Sequence, residues 1–397
     1  MKINVVDAIC GAGKSTSLIN MINETVNDNT RYLYITPFLS EVERIKVSCY
    51  AKHFKEPKIA KNKNKLMSIK ELLKRNENIV STHALFKKFN SEIIDLIKEK
   101  NYILVMDEVA DVVKTISITP DDLKNIIDKY AEISDNNILK WTAEEYEGKF
   151  EGYKEMIKNN RVQASIDKKG KAHALVQFFP IEIFQAFKEV YLLTYMFNCQ
   201  IQKYYFDIYH TEYIYWYIKD FHLTREKQEY NEKDIKNLIK ICNIPKLNAI
   251  GDKKSSLSVS WFESATDKDI EKLRNNIYNF FRNIVDLPSG KTLWTTFKES
   301  KEKLKGKGYA KSFVPLNIRA TNNYIDRVAI AYISNRYLNP LIKNFFVNNK
   351  VTVNEDDFAL SELIQLIFRS AIRNKKEILI YLPSKRMRDI LQKWIDN

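Results

Sequence analysis

The sequence predicts an α/β protein with two lobes. Three observations carry that prediction: an apolar strand running through a Gly-rich loop into an amphipathic helix at the N-terminus, a hydrophobic strand ending in two adjacent carboxylates near residue 107, and strand–helix alternation that returns from about residue 291. A chain of 397 residues is long enough to bury two cores.

The first element is the strand INVVD, residues 3–7. It leads into AICGAGKSTSLINMINE, in which Gly11 and Gly13 permit backbone torsions closed to other residues. Leu18, Ile19 and Ile22 then recur at helical spacing. Strand, glycine loop and helix N-terminus together form a nest of backbone N–H groups suited to phosphate, which makes Gly11, Ala12, Gly13, Lys14, Ser15 and Thr16 the expected nucleotide-binding residues. Lys14 is expected to reach the β and γ phosphates, and the Ser15 hydroxyl to hold Mg²⁺. Ala8 stands where such loops usually open with Gly.

The second element, YILVMDEVAD (102–111), is a buried-strand pattern with Asp107 and Glu108 at its C-terminal end, where open α/β sheets bind ligands. Placed on a strand neighbouring the loop, Asp107 is expected to hold Mg²⁺ and Glu108 to polarise the attacking water. One acid at a strand end is commonly just solvated; an adjacent pair after so apolar a strand, in a chain with such a loop, favours catalysis.

Further strands follow. YLYITPFLSEVERI (32–45) predicts a strand, a turn at Thr36-Pro37 and a helix capped by Ser40, and IVSTHALF (79–86) predicts a strand ending in Ser81, Thr82 and His83. Each strand end suits phosphate, and each reads equally as a helix start. VYLLTYMF (190–197) is an apolar strand interrupted by Thr194, whose hydroxyl needs a partner if buried. Near the C-terminus, ALSELIQLIFRSAIRNKKEILIYLPS predicts a helix and then a strand. Gln365, Arg369 and Arg373 at i, i+4 and i+8 would share one helical face, either aimed at phosphate oxygens or simply solvated.

In order, the phosphate loop, the TP and STH strand ends, DEVA, LLTY and QLIFRSAIR resemble superfamily 2 helicases of the DExD/H type, with the strongest likeness to small helicase-like ATPases of bacteriophages. The resemblance runs from residue 3 to about 390. It implies two tandem RecA-like P-loop domains with ATP and Mg²⁺ in their cleft, the first domain carrying a helical, charged insertion. It assigns Thr36, Pro37, Thr82 and His83 to a nucleic-acid surface and Thr194 to coupling. LWTTFK (293–298), with Thr296, and IRATNNY (318–324), with Arg319, Thr321 and Asn322, resemble the second lobe's nucleic-acid motifs. By position Gln365 and Arg369 match the final motif. Phe368 replaces its usual Gly and Arg373 lies one residue late, which leaves open which arginine is the finger.

The expected division is residues 1–200 and 201–397, with the insertion at about 112–189 mostly helical and charged, and a hairpin or loop tip at Gly170. Tyr204, Tyr205, Phe206, Tyr209, Tyr213, Tyr215, Trp216 and Tyr217 form a dense aromatic segment, read as interdomain core before base-stacking surface.

Composition bounds the partners. The net charge of +14 favours a polyanion. The excess clusters, with nine Lys or Arg against two Glu in 51–75 and seven Lys against two Glu in 291–311, as phosphate tracks would. Lys-rich composition from an AT-rich genome is the bland alternative. Four widely spaced cysteines without a CxxC pair suit a reducing cytoplasm and argue against zinc. No apolar run is long enough to span a bilayer, and the first residues do not read as a signal peptide. The expected partner is nucleic acid, single-stranded or forked, and other replication proteins are candidates. The phage resemblance favours DNA over RNA and the cytoplasm of an infected bacterium. The function expected is an ATP-dependent helicase or translocase in phage replication or recombination. The rivals are a packaging-type motor ATPase, which the second lobe disfavours, and a nucleotide-gated binding module without unwinding.

Overall fold

A computed structural model describes residues 1–26, 29–59, 64–159, 161–228, 232–316 and 323–397. The described chain divides into two compact units. One comprises Met1–Ala8, Gly13–Gln228 and Leu338–Val353, the other Ile9–Ala12, Glu229–Tyr337 and Asn354–Asn397.

The first unit begins with β1 (Lys2–Asp7), β2 (Tyr32–Thr36), β3 (Ile79–Thr82) and β4 (Ile103–Asp107). The insertion holds β5 (Val113–Ile116), β6 (Ala131–Ile133), β7 (Leu139–Trp141), β8 (Val162–Ile166) and β9 (Ala172–Phe178). The main sheet is completed by β10 (Glu189–Thr194), β11 (Glu212–Lys219) and β12 (His222–Thr224), in the order β12-β11-β1-β10-β4-β2-β3. All its pairings are parallel except β11–β12. The interior strands β2, β4 and β10 are buried along almost their whole length, as parallel strands covered on both faces must be.

Two expectations change here. The insertion is mixed rather than mostly helical: β5, β9 and β8 form an antiparallel sheet, and β6 and β7 a hairpin. Its strands are three to seven residues long and set Lys, Glu, Gln or His among their apolar residues, so their polar content concealed them. Its own core gathers Leu123, Ile126, Leu139, Phe150 and Leu175. Gly170, with φ of 78°, lies in the turn between β8 and β9, where a loop tip was expected. The second change concerns the aromatic segment, which lies within the first unit. Tyr204, Tyr205 and Phe206 are buried on the helix Ile201–Ile208, and β11 pairs with β1, so this unit continues past residue 200 to Gln228. The helix Pro340–Asn348, much later in the chain, also belongs to it, with Phe345 against Phe178 at 5.8 Å and Phe346 against Tyr204 at 6.0 Å.

The second unit holds β13 (Ile239–Ile241), β14 (Thr292–Thr295), β15 (Ala329–Tyr332) and β16 (Ile378–Tyr381), all parallel, in the order β13-β16-β15-β14. Trp294, Phe280, Phe281, Tyr309 and Tyr381 fill its core. A mixed α/β architecture with a parallel sheet in each unit is the fold class the sequence predicts. Among the described residues, no helix is long and apolar enough to cross a membrane.

Candidate nucleotide site

Gly11 and Gly13 both have φ of 89°, in the left-handed region that favours glycine. Gly13 is also the N-cap of the helix Lys14–Glu24 and has no side chain to cap it. The helix's first N–H groups therefore keep the positive end of its dipole for an anion. Lys14 and Ser15 are half-buried and Thr16 is exposed. Lys14 Nζ donates to the Ala8 carbonyl at 2.6 Å, which bends the ammonium back over the loop.

Asp107 lies across from this helix start. Ser15 Oγ donates to Asp107 Oδ2 at 2.9 Å. The two residues were expected to share a metal, and the fold brings them together. The strand spacing differs from expectation, since β4 does not neighbour β1 and β10 runs between them. β10 joins the two halves: Asp7 aligns with Thr194 and Leu193 with Asp107, while Ala8 N donates to Thr194 O and Glu108 N to Leu193 O. Asp7 further accepts from the backbone N–H groups of Met196 and Phe197 at 2.8 and 2.9 Å.

Two residues that sequence reasoning missed, Tyr34 and Arg44, surround Asp107 together with His83, which was expected on a nucleic-acid surface. Tyr34 Oη is 3.5 Å and Arg44 Nη2 4.0 Å from Oδ2, and His83 Nε2 is 3.0 Å from the backbone carbonyl. Tyr34 could have been suspected, because β2 pairs with β4 and aligns it with Val105. Nothing local in the sequence marks Arg44. Burial, then the neighbouring Glu108, push the Asp107 carboxyl up to about 6, against the opposing pull of Ser15, Lys14 and Arg44. Glu108 has φ of 67°, a left-handed conformation uncommon for a residue with a Cβ. Such strain concentrates at functional positions.

The chemistry fits a magnesium nucleotide. Ser15 and Asp107 offer hard oxygen donors, and a cation there would relieve a carboxylate that burial disfavours. Mg²⁺ is commonly held by only one or two protein carboxylates, and Ser15 and Asp107 are the residues that would hold it here.

The other candidate residues are distributed as follows. Thr36 is buried and donates to Phe38 O at 2.9 Å, with Pro37 half-buried beside it. Phe38, not Ser40, is the N-cap of the helix that follows, because the helix begins at Leu39. Thr82 is half-buried, and His83 turns back onto Asp107. Thr194 is fully buried and exchanges hydrogen bonds with the Gln200 side chain at 3.1 and 2.9 Å.

In the second unit Thr296 is buried, donating to Ile333 O at 2.9 Å. Arg319, Thr321 and Asn322 lie outside the described residues. The shared helical face for Gln365, Arg369 and Arg373 is not found. The helix Glu355–Ile367 stops at Phe368, and Ser370 turns extended, donating to Ile367 O at 2.6 Å and capping a short 3₁₀ segment, Ala371–Asn374. Gln365 is thus half-buried on the helix, Arg369 buried after it and Arg373 exposed on the next segment.

Fold and loop together define an α/β protein with a Gly-rich loop leading from a parallel strand of one sheet into a helix, and with a second parallel sheet in its other unit. Residues 233–395 match the family described as the YonV C-terminal Rossmann-like domain. The whole chain is 41% identical to the SPbeta prophage-derived protein YonV of Bacillus subtilis (strain 168), covering 100% of this chain and 99% of that one. The chain belongs to the YonV family. It is also distantly similar to solved structures. One is an XPD helicase at a TM-score of 0.45 and 9% identity, covering 98% of this chain and 95% of that one. Another is S. tokodaii Xpd4 at 0.43 and 12%, covering 99% and 94%.

Proposed function

We propose that the chain is an ATP-dependent nucleic-acid translocase or helicase, acting on DNA in phage replication or recombination. The observation that carries this reading is the Ser15 hydroxyl on the Asp107 carboxylate, 2.9 Å apart, at the end of a Gly-rich loop. Lys14 neutralises charge on the β and γ phosphates. Glu108 orients and deprotonates the attacking water, work of the kind a positioned carboxylate does for about 10²–10⁴ in rate. Ser15 and Asp107 are the residues that would hold Mg²⁺, which would supply positive charge against the phosphates. Arg369 and Arg373 are the candidates for charge on the transferred phosphoryl group, and Gln365 for orienting water beside it. Thr36, Pro37, Thr82, His83, Thr296, Arg319, Thr321 and Asn322 form the proposed nucleic-acid set. Thr194, through Gln200, ties the strand between the two halves of the site to the segment after it, and this is the proposed coupling route.

ATP hydrolysis measured with single-stranded DNA, single-stranded RNA and duplex tests the reading. Stimulation by a nucleic acid supports a motor, and DNA above RNA supports the substrate. Hydrolysis indifferent to all three rejects the motor.

A further inference from the structure

β11 and β12 are joined by a two-residue turn, because Lys219 aligns with His222. Both turn residues, Asp220 and Phe221, are left-handed, with φ of 49° and 59°. A two-residue hairpin of this hand needs positive φ at both positions and usually takes Asn, Asp or Gly there. A phenylalanine is an expensive choice for such a position. It is also 57% exposed, so its ring is not held for the sake of a core.

The ring rests on the phosphate loop. A Cβ added at Gly13 would lie 2.8 Å from Phe221 Cδ1. The hairpin tip is tied to the helix that the loop opens: Asn20 Nδ2 donates to Phe221 O at 3.0 Å, and His222 Nε2 meets Glu24 Oε1 at 3.0 Å. The chain thus places an exposed aromatic ring, on a backbone in the left-handed region, beside the residue that caps the phosphate-binding helix, and ties it there through the Phe221 carbonyl and the His222 side chain.

We propose that Phe221 is the nucleoside shelf of the site, packing its ring against the base or ribose of a nucleotide whose phosphates occupy the loop. This rests on the nucleotide reading above. An aromatic face stacks on any base, so the shelf contributes affinity without choosing the base, at a strength of about tenfold or more per stacked ring.

The test compares ATP with inorganic tripolyphosphate, which has the phosphates and no nucleoside. Dissociation constants of both, with Mg²⁺, are measured for the wild type, Phe221→Ala, Phe221→Asn and Phe221→Trp. Asn tolerates the left-handed turn, so Phe221→Asn removes the ring without straining the hairpin. The expected result is roughly tenfold weaker ATP binding in the Ala and Asn variants, unchanged tripolyphosphate binding, and retention of ATP affinity by Trp. Unchanged ATP affinity in Phe221→Asn overturns the shelf, and so does an equal loss for both ligands, which would make the ring a prop for the loop. A wild type that binds neither ligand rejects the phosphate loop itself, a different failure, and the shelf with it.

Discussion

Asp107 sits among groups that both oppose and support its charge. Its side chain is only 14% exposed, Glu108 follows it, and Ser15, Lys14 and Arg44 pull the other way. A carboxyl moved from its ordinary 3.8 to about 6 binds its proton more tightly folded than unfolded. Stability therefore falls as pH rises from about 4 to 6, and the penalty is complete above that window. Asp107→Asn, which keeps an acceptor for Ser15, should raise the thermal midpoint at pH 8, removing up to about 3 kcal/mol. The gain should vanish by pH 4, and thermal melts at the two pH values check it. Glu108→Gln should leave ATP binding intact and cut hydrolysis by about 10²-fold or more, checked by titration beside single-turnover rates. At this scale the sequence was legible wherever chemistry is local: Lys14, Ser15 and Asp107 could be named because loop and strand carry their own patterns. Arg44 and Phe221 could not, since what matters about them is a partner on another element, 63 residues away for Arg44 and Asp107, and 208 for Phe221 and Gly13.

Elements were legible where burial on both faces gave a long apolar run, as in β1, β4 and β10. They were not where strands were short and half-exposed, as in β5–β9, or where a helix ended without Gly or Pro to mark it. The helix Glu355–Ile367 is a case of the latter. Its apolar spacing continues through Phe368, and Ser370 breaks it by bonding back to Ile367. The two arginines thereby have different surroundings, and their substitutions should differ. At saturating ATP, turnover of Arg369→Ala and Arg373→Ala identifies the finger as the variant that slows, while the one with normal turnover is excluded. A thermal melt of each separates this from packing, since Arg369 is buried and Arg373 exposed. Close approach of backbone gives another element-scale prediction. A Cβ at Gly251 would fall 1.8 Å from the Pro383 carbonyl oxygen, which cannot swing aside as a side chain could. Gly251→Ala should cost about 3 kcal/mol or more, read as a lowered denaturation midpoint.

At the scale of the molecule, two parallel-sheet units were foreseeable from alternation of strand and helix, while the membership of each was not. β11 joins the first sheet and the helix Pro340–Asn348 returns to the first unit, long-range arrangements that no window of sequence records. The charge of +14 belongs to this scale as well. If it serves a single strand, affinity should fall with salt at a slope of about −0.7 per phosphate contacted. A flat dependence would assign the excess to composition alone.

Steady-state ATP hydrolysis by the wild type and Lys14→Ala, each with and without single-stranded DNA, decides whether the Gly-rich loop drives a motor. Mg²⁺-dependent turnover should rise with DNA and drop by about 10²-fold or more in Lys14→Ala. Turnover that survives the loss of Lys14, or that DNA does not raise, would contradict that role for the loop.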